Sequence, residues 1–272
     1  MSARTSRRTL AGPLALLYTC AVGACAHLGA PGPVVADRPG YTDTPTALPA
    51  RAIQLEAGVT DDQTGDAFER TTTVTAGEVL ARIGVGARTE IRLFGNSYDL
   101  RSGGRSPTIH GWEDLKFGAK VNLRAIPDSV HSWAPNVALL AATTSPTGAR
   151  PFSAGVAQAE AKVAANWTTP SPFSLYTNIG YSGTYSDFTR QGTGWVSAAG
   201  WWAVNPRVSL FGEGYFFELV GDQNGSFGGS KVDAGVTYLV NDRFQLDARI
   251  GHGLVGVQSD ERFIGVGFAR RW

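Results

Sequence analysis

The chain has 272 residues, a formal net charge of +1, 34 Gly, two Cys and one Met. That length allows one large barrel or two small domains, and so balanced a charge argues against nucleic acid as a partner. Beyond the N-terminal region no run of about 18 apolar residues exists; this excludes a helical membrane protein but not a barrel, whose strands need only about ten alternating residues.

The N-terminus carries Arg4, Arg7 and Arg8 and then an apolar stretch from Leu10 to Ala26. A basic segment, an apolar segment and a small-residue exit make a secretory signal, assigned to residues 1–30. Ala24-Cys25-Ala26 offers one cleavage site, and Val22-Gly23-Ala24-Cys25 loosely resembles a lipobox. Both cysteines lie in this leader, so no disulfide framework is expected in the mature chain. Residues 31–50, rich in Pro, Thr, Ala and Gly, read as an irregular lead-in on the periplasmic side.

Alternation begins at Arg51 and defines a barrel over residues 51–272. Arg51–Thr60 sets Ile53, Leu55, Ala57 and Val59 against Gln54 and Glu56, and Thr71–Val85 sets Val79, Ala81, Ile83 and Val85 against Glu78 and Arg82. In Glu90–Asn96, Ile91 and Leu93 oppose Glu90 and Arg92. Gly111–Arg124 is the clearest run: Leu115, Phe117, Ala119, Val121 and Leu123 against Asp114, Lys116, Lys120 and Asn122. Eight further runs follow, from Ala134–Thr144 to Arg262–Trp272. Period two with unlike faces is the pattern of a strand between two different environments. About twelve strands, an even number, suit an antiparallel up-and-down transmembrane barrel, which is the fold class assigned here.

The connections agree. Gly86–Arg88, Thr169–Pro172, Asn205-Pro206 and Asn241-Asp242 are short. Asp61–Arg70, Tyr98–His110, Ser145–Gly155, Ser186–Gly194, Gly221–Ser230 and Gly256–Glu261 are longer and polar, with Ile126–Trp133 intermediate. Outer-membrane barrels have short periplasmic turns and long extracellular loops. On the apolar face Trp167, Phe173, Trp202, Tyr238, Phe244 and Trp272 fall near the short turns, as an interfacial girdle would. In the last run Ile264, Val266, Phe268 and Trp272 share one face while Gly265, Gly267 and Ala269 share the other; Arg270 interrupts the apolar face. A final strand ending on an aromatic resembles the closing strand read by the barrel-assembly machinery, so those four residues are the expected assembly signal. Outer-membrane lipid is the second expected partner.

The opposite face would line the lumen. It carries Glu56, Glu78, Glu90, Asp114, Glu160, Glu213, Asp233 and Asp247 with Arg82, Arg92, Lys116, Lys120, Lys162, Lys231 and Arg249. Acids and bases nearly balance, so neighbours can pair. Eight strands leave a bore filled by side chains and about 16 leave an aqueous channel; twelve lined with long paired groups predict a narrow or partly plugged lumen. Asp37, Arg38, Pro39 and Tyr41 in the lead-in are the candidate plug. Catalysis is not expected: of the four His, His27 is in the leader, His110 and His131 are in connections, and His252 is on the apolar face. No Cys/His cluster suggests a metal, and no cofactor is expected.

The motifs Asp37-Arg38-Pro39, Thr42-Asp43-Thr44-Pro45, Gln54-Leu55-Glu56-Ala57-Gly58 and Leu80-Ala81-Arg82-Ile83-Gly84 occur in that order. Asp114-Leu115-Lys116-Phe117-Gly118-Ala119-Lys120, Ser145-Pro146-Thr147-Gly148, Asp233–Leu239, Asn241-Asp242 with Gln245-Leu246-Asp247, and Phe263–Phe268 continue the series. Together they resemble the outer-membrane transporter family linked to phenol degradation by the MetA pathway, across essentially the whole mature chain. The resemblance implies an outer-membrane barrel that passes small, often apolar or aromatic compounds. A barrel with a structural or surface-interaction role and no transport is the alternative.

Overall fold

The structure, a computed structural model, describes residues 32–272 apart from 67–68, 105, 127–132, 169–171, 185–191, 221–227 and 257. The signal segment, His131, and most of the Thr169–Pro172, Ser186–Gly194, Gly221–Ser230 and Ile126–Trp133 connections lie outside the described residues. Fourteen antiparallel strands form one sheet: β1 (Ile53–Thr64), β2 (Thr71–Gly84), β3 (Thr89–Phe94), β4 (Tyr98–Gly103), β5 (Ile109–Trp112), β6 (Leu115–Arg124), β7 (Asn136–Ser145), β8 (Gln158–Thr168), β9 (Phe173–Thr184), β10 (Gly192–Asn205), β11 (Val208–Val220), β12 (Gly229–Asn241), β13 (Phe244–Gly256) and β14 (Arg262–Arg271). Pairing of β1 with both β2 and β14 closes the barrel, from Gln54 opposite Arg271 to Gln63 opposite Arg262. Closure pairs β1 on both sides, so the wall has no free edge there at membrane depth, where no water could satisfy one.

Two barrel strands are each built from two elements, so fourteen elements make twelve staves. β2 pairs with β3 through Leu80–Gly84 and with β4 through Thr71–Ala76, while β6 pairs with β3 and β5 with β4. The segment Tyr98–His110, expected as a loop, therefore contains β4 and the start of β5. The reason is a bulge in β2. Register shifts between Glu56 and Gly58, opposite Gly77-Glu78, and Glu78 takes a positive φ of 39°. One extra residue reverses the in–out parity, so Thr71, Thr73 and Thr75 face the lumen where the simple alternation would turn them outward.

The barrel is inverted relative to a water-soluble protein. Arg82, Lys120, Gln54, Glu56 and Glu90 are fully buried, whereas Ile179 is 63% and Ile250 64% exposed. Exposed apolar rows are stable only if hydrocarbon surrounds them. Arg270 keeps its place on the outer face and lies over the ring of Trp272, 5.3 Å from its centroid. Its guanidinium stacks on the ring face at the rim of the apolar band.

Candidate functional site

Residues 34–48 run inside the barrel. The segment begins beside β12–β14, where Val34 N bonds to Asp242 O and Val34 and Ala36 pack on Ala269. It follows the wall to β11 and β10 at Tyr41-Thr42 and to β9 at Asp43, then passes Pro45 to Leu48, whose N bonds to Glu90 Oε2 at 2.8 Å. β1 starts immediately afterwards. This excursion contains the candidate plug residues, and its backbone is satisfied by the walls. Glu56 accepts from the N–H of Asp37 (3.0 Å) and Arg38 (2.9 Å); Glu213 accepts from Tyr41 and Thr42; Asn178 accepts from Asp43. Irregular backbone at this depth needs such partners, since each buried N–H left unpaired costs about 1–3 kcal/mol.

One carboxylate gathers the cations. Asp37 bonds to Lys120 Nζ at 2.9 Å, pairs with Arg92, and lies 3.5 Å from Arg82. Burial alone would raise its pKa, but Arg82, Lys120 and Arg92 hold the carboxyl well below the usual carboxylate range. Arg82 fans across the network: Nε and Nη2 to Glu90, Nη1 to Glu56 and Val35 O, Nη2 to Thr46 O. Asp43 pairs with Lys162 and Arg92, and Lys116 with Glu160 at 2.6 Å. Against burial, Lys162 and Arg92 keep Asp43 below its ordinary value.

A second network holds Arg38. Its guanidinium bonds to Glu78 at 2.7 Å and lies 3.5 Å from Asp247. Arg249 Nη1 donates to Pro39 O at 2.9 Å, and its Nη2 lies 3.6 Å from Glu78. Gly58 and Gly267 leave the space this side chain needs: a Cβ at Gly267 would stand 2.5 Å from Arg38 Nε, and one at Gly58 would overlap its Nη2. The small residues on the inner face of β1 and β14 are therefore a cradle for the plug. Gly267→Val should leave a closed, heat-modifiable barrel but expel the lead-in. A Thr42→Cys reporter, buried in the parent, should then react with a maleimide about tenfold faster or more, as an opened segment does. Equal labelling would show that the cradle is incidental.

The remaining candidates fall elsewhere. Lys231 pairs with Glu261, a loop residue that sequence alternation had not singled out. Asp233 is buried opposite Glu213 across β11–β12, and no N–H donor among the described residues bonds to it. Asp114 sits between β5 and β6 and accepts from Gly148 N (2.8 Å) and Ala154 N (3.0 Å), so it ties down the 146–155 loop. A wall of aromatics also went unread. Trp195, Trp201, Phe211 and Tyr215 share the inner face of β10–β11 with Ser197 and Glu213. Trp201 stacks on Phe211 (4.9 Å), and Tyr215 on Tyr41 of the plug (4.4 Å). Odd-numbered parity with Ser197 and Glu213 was the available signal.

Two vestibules flank the plug. Toward the long loops a cavity of about 490 Å³ is bordered by Tyr41, Glu78, Phe94, Ser97, Lys116 and Lys162 among others. At the turn end one of about 290 Å³ lies among Thr46, Arg88, Asn122 and Asn136.

The inverted surface, the closed antiparallel sheet and a charged lumen with a folded-in lead-in define the class: an outer-membrane β-barrel. The chain belongs to the family described as "Putative MetA-pathway of phenol degradation", whose model matches residues 36–272. Its fold is similar to the crystal structure of the COG4313 outer membrane channel from Pseudomonas putida F1, with a TM-score of 0.66 and 15% identity over 86% of this chain and 99% of that chain. It is also similar to the NanC porin, with a TM-score of 0.51 and 10% identity over 79% of this chain and 98% of that one. None of the curated proteins matches the sequence.

Proposed function

We propose that the barrel is a passive channel for small neutral molecules carrying an aromatic ring, closed at rest by its own lead-in. The observation that carries this reading is the pair of vestibules separated by a single polar segment. The cations bordering the larger one, Arg38, Arg92, Lys116, Lys162 and Arg249, all stand in ion pairs already. An anionic solute would have to break those pairs, while a neutral one would not. Phe94, with Arg92 and Lys116 over its ring at 5.3 and 4.9 Å, and Tyr41 on Tyr215 offer aromatic surface there. The family description and the likeness to outer-membrane channels point the same way.

The test is uptake of phenol into cells lacking the protein, with and without its expression. Faster entry, insensitive to membrane potential, is expected. Unchanged entry would favour a structural barrel without transport, a reading that the tightly bonded plug also accommodates.

A further inference from the structure

The turn end of the barrel carries an arc of arginines that runs from β10 through β14 and β1 to β6, with none at the turn ends of β7–β9 among the described residues. Arg51 precedes β1, Arg88 lies in the β2–β3 turn, Arg124 ends β6, Arg207 and Arg243 lie in the β10–β11 and β12–β13 turns, and Arg270 is near the end of β14. All six side chains are exposed, and none is in an ion pair among the described residues. The anions described at this end are Asp242 and the terminal carboxylate of Trp272, against six arginines, so the arc is net positive. The loop end is mixed, with Asp66, Glu69 and Asp260 beside Arg70, Arg150 and Arg262.

Position adds to charge. Each arginine lies within a few residues of an exposed apolar side chain that faces hydrocarbon: Ile53, Val85, Leu123, Val204, Val240 and Trp272 respectively. Arg270 shows the arrangement directly, since its guanidinium lies over Trp272 on the lipid face. A guanidinium just beyond the apolar band meets the level of lipid phosphates, and its planar fork matches a phosphate with two parallel hydrogen bonds.

We propose that this arginine arc binds the phosphates of anionic glycerophospholipids in the periplasmic leaflet and so sets the depth of the barrel. The occupant is lipid, because the arc is continuous with the lipid-facing girdle. Short turns place this end at the periplasmic side.

Tryptophan quenching tests it on the refolded full-length barrel in vesicles. Trp202 and Trp272 report from the turn end, 51% and 56% exposed on the outer face; a Trp112→Phe background removes the exposed reporter near the loop end. Brominated phosphatidylglycerol should compete with brominated phosphatidylcholine for these sites by about fivefold, the effect of one arginine at an anionic surface. The preference should fall with added salt. Arg124→Gln, Arg207→Gln and Arg243→Gln together should abolish most of it, and each singly should lower it, which keeps the test available if the triple variant misassembles. Arg262→Gln at the loop end should leave it unchanged. Equal quenching by both lipids in the parent would overturn the proposal. So would an undiminished preference in the triple and single variants, or a loss as large in Arg262→Gln.

Discussion

Removing residues 33–48 should turn a nearly silent barrel into a conducting one. The reconstituted parent is expected to show small or no ion conductance, and the truncated protein should exceed it by about an order of magnitude, because twelve strands enclose more space than their own side chains fill. The opened bore should show little charge selectivity: Asp37, Asp43 and Arg38 leave with the plug, while the acids and bases that remain on the wall nearly balance. Acid should open the intact protein by the same route. Arg82, Lys120 and Arg92 hold the Asp37 carboxyl below its undocked value. This part of the anchorage is therefore fully present above the ordinary aspartate range and is lost as pH falls through the depressed value. Mild acid should do little, and strong acid should raise conductance in the parent but not in the truncated form. An unchanged conductance on truncation would show that the lead-in does not close the bore.

The largest loss of stability should come from Arg82→Met. This one guanidinium touches Glu56, Glu90, Val35 O and Thr46 O, and lies near Asp37, with no exposure to solvent. Its removal leaves Glu56 without a cation among the described residues and takes one from Asp37 and from Glu90, and breaking a buried pair from one side typically costs about 3–5 kcal/mol. Arg82→Lys should recover only part, since an ammonium cannot reach partners in opposite directions. Lys116→Met is the contrast: its pair with Glu160 is partly exposed at 26% and 20%, and such pairs contribute about 1 kcal/mol or less. Urea midpoints of the three variants in vesicles decide the matter. Similar shifts for Arg82→Met and Lys116→Met would mean that the network around Arg82 is not what holds the lumen together.

Much of this architecture is local and so can be read along the chain. Whether Leu115, Phe117 and Ala119 face one way and Lys116 and Lys120 the other depends only on the pleat, and a closed barrel keeps that choice for its whole length. Hence strand number, the lipid face, the turn-end aromatics and the charged lumen were legible from alternation and loop length. Parity fails where one residue is inserted: the Gly77-Glu78 bulge turned Thr71–Ala76 over and hid β4 inside what reads as a loop.

The site is another matter. Alternation says that Glu56, Arg82, Glu90, Lys120 and Asp247 point inward, but not which of them meet across the bore. Only closure of the ring puts Arg38 against Asp247, 209 positions away in sequence, and Gly58 beside Gly267 to make room for it. The lead-in has no period at all, so its path could not be read from it. Its course is decided by unpaired N–H groups and one aspartate finding acceptors and cations on walls that exist only once the barrel has closed.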